Sequence, residues 1–92
     1  MRISEQEIIN AICLNIAERK QLKPTDVEVE LMYDEDLGFS AEVFTQGRSQ
    51  ILIQANLLEA IEQYMFRQYS IRVFRDQIQL ILEEEIVADV AV

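Results

Sequence analysis

Between Val27 and Phe44 the chain alternates: Val27, Val29, Leu31, Tyr33, Phe39, Ala41 and Val43 share one parity, while Glu28, Glu30, Met32, Asp34, Ser40, Glu42 and Phe44 take the other. Successive side chains of a strand point to opposite faces, so a period of two commits this stretch to strands with one buried face. The run Asp34-Glu35-Asp36-Leu37-Gly38 supplies turn residues and divides it into a hairpin. Gly47-Arg48-Ser49 marks a second turn, and the β-branched run Gln50-Ile51-Leu52-Ile53-Gln54 suits a third antiparallel strand. A meander is the simplest topology.

Helical signals flank the meander. Ser4 and Glu7 have the spacing of a capping box, in which the Ser4 hydroxyl accepts from the Glu7 amide and the Glu7 side chain reaches back. Ile8, Ile9, Ile12, Cys13 and Ile16 then recur at helical spacing, and the helix is expected to end before Pro24. Asn56, followed by Glu59, repeats the start signal for a second amphipathic helix carrying Leu57, Leu58, Ile61, Tyr64 and Met65. Residues 69–75 fit either a short strand or a helix extension. Beyond them Ile78, Leu80, Leu82, Ile86, Ala88, Val90 and Val92 all fall on even numbers, which favours two strands, or one bent strand, interrupted at Glu83-Glu84-Glu85.

The expected fold is therefore α+β: one domain over residues 1–92, in the order α-β-β-β-α and then one or two C-terminal strands. Both helices are expected on one face of an antiparallel sheet. At 92 residues, half of them apolar, there is enough core for a single domain to fold without disulfides.

Charge and composition narrow the partners. A net charge of −9, from 17 acidic and 8 basic residues, repels phosphate backbones and anionic lipid, so nucleic acid and membranes are not expected. Helix, three strands, helix is also the order of double-stranded RNA-binding domains. Seven acidic residues and no basic one lie between Asp26 and Gln46, however, which is the wrong sign for phosphate contacts. A lone Cys13, no apolar signal core and no apolar run of membrane-spanning length point to a cytoplasmic protein.

The sequence offers no catalytic residue and no cofactor motif. There is no histidine, which removes the Ser-His, Cys-His and His-ligated mechanisms together with the commonest general base. Cys13 lies on the apolar stripe of the first helix, where a thiol behaves as a small hydrophobe. Gly38 and Gly47, the two glycines, both sit at strand turns and form no phosphate loop. Asp34, Asp36, Glu83, Glu84 and Glu85 are weak candidates for a hard cation, and their spacing matches no calcium loop; solvated turns are the simpler account.

The sheet face opposite the helices is the most suggestive feature. The alternation puts Met32, Phe44 and Leu52, with Ile81 as a further member, among Glu28, Glu30 and Glu42. Such a face suits docking of another protein, or of a second copy in a homodimer, with the final Val87–Val92 run as an alternative edge for pairing. Two plainer accounts stand beside it: scattered surface hydrophobes are ordinary, and residues 69–75 are placed to cover Phe44 and Leu52.

Ser4-Glu5-Gln6-Glu7-Ile8-Ile9-Asn10-Ala11, Val27-Glu28-Val29-Glu30-Leu31 and Gly38-Phe39-Ser40-Ala41-Glu42 together resemble the YxcD-like family of short uncharacterised bacterial proteins. The resemblance extends to about Tyr64 and rests on structural motifs. It implies a small bacterial cytosolic protein with no catalytic residues to carry over. Sequence thus leaves an interaction module as the first expectation, a divalent-cation regulator or small enzyme built on the acidic turns as the second, and mimicry of nucleic-acid charge as the last.

Overall fold

The computed structural model describes residues 1–92 and contains two helices and six strands: β1 (Arg2–Ile3), α1 (Glu5–Lys20), β2 (Glu28–Asp34), β3 (Gly38–Thr45), β4 (Arg48–Ile53), α2 (Gln54–Tyr69), β5 (Ile78–Leu82) and β6 (Ile86–Val90). Single 3₁₀ turns at Pro24–Asp26 and Arg75–Gln77 lead into β2 and β5. The architecture is α+β, with the strands divided between two antiparallel three-stranded sheets, β2-β3-β4 and β1-β6-β5. The expected single sheet is thus two. The added edge strand β1 is only two residues long, too short for any period to announce it.

α1 begins where the Ser4 hydroxyl accepts from the Glu7 amide at 3.2 Å. Only half of the expected capping box forms, because the Glu7 carboxylate turns to the hydroxyls of Tyr64 and Tyr69, at 3.2 and 2.6 Å. α1 stops at Gln21, a left-handed residue whose amide closes the last turn on Ala17 and Glu18. α2 starts two residues ahead of Asn56, whose side-chain oxygen reaches back to the Ile53 amide at 3.1 Å. The buried stripe of α1 is broader than the isoleucines alone: Ala11 and Asn15 join Ile8, Ile12 and Ile16, and the Asn15 side-chain amide donates to Gln63 of α2 at 2.7 Å. An interhelical bond of this kind satisfies a buried polar group that would otherwise cost stability.

Both sheets contribute to one core. Ile8, Ile12 and Ile16 of α1 and Leu57, Ile61 and Met65 of α2 meet Ala41, Val43 and Leu52 from one sheet and Ile3, Leu80, Ala88 and Val90 from the other. Ile78 and Leu80 of β5 and Ile86, Ala88 and Val90 of β6 face this core, whereas Leu82, even-numbered like them but next to the turn, is exposed; the strands pair Ile78 with Val90 across the Glu83–Glu85 turn. Glu5 ties α1 to this sheet by accepting from the Ile86 amide at 2.7 Å. β6 lies between β1 and β5, so the edge of the Val87–Val92 run is already paired by β1 at Ala88 and Asp89. The stretch after Tyr69 is neither strand nor further helix. It runs back along α2 in extended form, with Val73 buried and Ile71 packed on the core.

Candidate interaction surface

The geometry of the outer sheet face follows from one turn. Gln46 and Gly47 both have positive φ, at 51° and 75°, as a two-residue primed hairpin turn requires. Thr45 therefore pairs with Arg48, and the register places Phe44 opposite Ser49, Glu42 opposite Ile51, and Ser40 opposite Ile53. On the other side of β3, Glu28 pairs with Phe44, Glu30 with Glu42, and Met32 with Ser40. Three rows result: Glu28-Phe44-Ser49, Glu30-Glu42-Ile51 and Met32-Ser40-Ile53.

Five of the six residues expected on this face are there: Glu28, Glu30, Met32, Glu42 and Phe44. Leu52 is not. It pairs with Ala41 on the core side and is 5% exposed. The strand starts two residues earlier than the composition suggests, and its parity is the reverse of the one expected, which sends every side chain to the opposite face. Ile51 and Ile53 take the place of Leu52, at 57% and 62% exposure, beside Phe44 at 37%. The signal that would have found them is the Gln46-Gly47 dipeptide as a two-residue turn. Ile81 belongs to the second sheet, and residues 69–75, which pack along α2, do not cover Phe44.

Electrostatically the face is uncompensated. Glu28, Glu30 and Glu42 form no ion pair, and Glu30 and Glu42 stand directly opposite each other on adjacent strands. Like charges in cross-strand pairs destabilise a sheet, by roughly 0.2–1 kcal/mol. Glu42→Thr should therefore raise stability by a few tenths to about 1 kcal/mol, measured by urea denaturation. A loss of stability would show that the carboxylate pair is not a repulsive one.

The other candidate residues lie in two separate turns. The Asp34 carboxylate accepts from the amides of Asp36 and Leu37, at 2.8 and 3.0 Å, and so builds the β2–β3 turn. Glu83 accepts from Arg2 at 2.9 Å, and Asp89 receives the same guanidinium at 2.8 and 3.2 Å, which holds the Asp89 carboxyl below its ordinary range. Glu84 and Glu85 are exposed in the β5–β6 turn. The two acidic turns belong to different sheets, and no three His, Cys, Asp or Glu side chains are grouped to hold a metal. Cys13 is half-buried with its sulfur 3.5 Å from the Val27 carbonyl, and burial pushes its thiol pKa up, the reverse of nucleophile activation.

The model of the family described as protein of unknown function (DUF2653) matches residues 1–85. The chain belongs to that family. A relative, the uncharacterized protein YxcD of Bacillus subtilis (strain 168), is 36% identical over 64 residues, 68% of this chain. The match spans 63% of the relative's own length. No solved structure matches. No helix is long and apolar enough to cross a membrane.

Proposed function

We propose that this family member is a small acidic, cytoplasmic protein–protein interaction module that binds a basic partner through the outer face of β2-β3-β4. The observation that carries this proposal is the Glu30–Glu42 pair, two glutamates opposite each other on adjacent strands with no ion-pair partner, set beside half-buried Met32 and exposed Phe44, Ile51 and Ile53. A sheet face that sacrifices stability to like-charge repulsion is best accounted for by a partner that brings the missing cations. The apolar side chains would supply buried contact area, and the carboxylates would steer encounter and select for positive charge.

The test compares wild type with the Met32→Glu/Phe44→Glu variant as bait in an extract of the producing cells, with circular dichroism confirming that both are folded. Proteins retained by wild type should be lost on the variant, and retention should fall as salt is raised. Equal retention by both baits would rule out this face.

A further inference from the structure

We infer that the sheet face has its complement on the same chain, so that copies associate head to tail, the outer face of β2-β3-β4 in one docking on a basic aromatic patch in the next. The inference rests on the sheet face being an interaction surface, and it names the occupant.

The patch lies where α2 ends. Phe66 follows buried Met65 by one position, which carries it about 100° round the helix and out of the buried stripe. It is 54% exposed. The returning segment brings Arg72 over it, with the guanidinium carbon 5.6 Å from the ring centroid, and adds Phe74 at 59% exposure. Together with Arg67 they line an open cleft of about 400 Å³.

Charge sets this patch apart. Three of the eight basic residues, Arg67, Arg72 and Arg75, fall here in a chain of net charge −9. Arg67 is committed to Glu18, and Arg75 lies 3.9 Å from Glu62, whereas Arg72 has no carboxylate partner at all. The chain thus carries unpaired carboxylates among exposed hydrophobes on its sheet and an unpaired guanidinium among exposed phenylalanines on its helix layer. The two surfaces match in charge and chemistry, and they sit on opposite layers, so one copy cannot join its own pair. A contact between two different patches is heterologous, and it grows into a ring or an open chain instead of stopping at a two-fold dimer.

The experiment is sedimentation velocity on the full chain from micromolar to millimolar concentration. It uses wild type, the sheet variant Met32→Glu/Phe44→Glu and the patch variant Phe66→Glu/Arg72→Glu, with folding checked by circular dichroism. Wild type should grow in mass with concentration, and each variant alone should remain monomeric. Mixed in equal amounts, the two variants should form a one-to-one dimer that extends no further, because each retains the surface the other has lost. Arg72→Gln removes only the charge and should weaken wild-type assembly about tenfold. A monomeric wild type, or two monomeric variants that do not combine, overturns the inference. Assembly lost in the sheet variant but kept in the patch variant also overturns it, and leaves the sheet face standing as a self-complementary interface. Assembly unchanged in both variants removes both surfaces.

Discussion

Truncation after Asp89 is expected to destabilise the fold severely. In sequence the final Val-rich run has the character of a dispensable edge, yet Val90 is 2% exposed and lies in the core beside Ile78. Its backbone exchanges two hydrogen bonds with Met1, the Val90 amide donating at 2.6 Å and its carbonyl accepting at 2.8 Å. Ala91 adds two more with Gln77, both at 2.8 Å. Losing a buried valine costs about 1.5–3 kcal/mol, and each hydrogen bond about 0.5–1.5 kcal/mol. The sum is on the order of 4 kcal/mol or more, a large share of the roughly 5–15 kcal/mol that holds a domain together. The midpoint of thermal unfolding should fall by about 20 °C or more. A chain ending at Ala91 loses only Val92, which is 72% exposed, and should stay within about 0.5 kcal/mol of full length. If the two truncations melt together, β6 does not depend on its last residue.

What was legible in the sequence was whatever periodicity and turn chemistry encode locally. The alternation of Val27 to Val43 gave the correct inner and outer faces of β2 and β3, and the even numbering of Ile78 to Val90 gave β5 and β6. The parity of β4 was lost because Ile51, Leu52 and Ile53 are all apolar. A continuous apolar run has no phase of its own, so only the turn before it could decide which residue points out. The division into two sheets was hidden for another reason. β5 and β6 pair with each other and with Arg2–Ile3, across nearly the whole chain, instead of with β2-β3-β4, and no local pattern reports so distant a choice of partner. The basic aromatic patch was hidden in the same way: Phe66, Arg72 and Phe74 lie on two segments that meet only because residues 70–74 fold back along α2.

The last turns of α2, from which that fold-back departs, are tied to α1 by Glu7, and the pH dependence of this tie is the other large effect expected. Tyr69 donates to the Glu7 carboxylate at 2.6 Å, and Tyr64 to the same oxygen at 3.2 Å. The hydrogen bond to Glu7, then desolvation and the carboxylate's charge, push the Tyr69 phenol up to about 12. For Tyr64 burial is the main cause and Glu7 the next, and its pKa is raised as well. A phenol whose folded-state pKa lies above its unfolded value near 10 stabilises the fold in its neutral form. That stability is complete below about pH 10 and is lost as pH rises through about 12. Urea denaturation should therefore show stability falling across this window, and Tyr69→Phe should flatten the fall. Glu7→Gln removes the negative charge that opposes the phenolate, so the Tyr69 titration, followed by NMR of ¹³Cζ-labelled tyrosine, should move down from about 12 toward the ordinary value. A Tyr69 midpoint unchanged in Glu7→Gln would mean that burial, not the carboxylate, governs it.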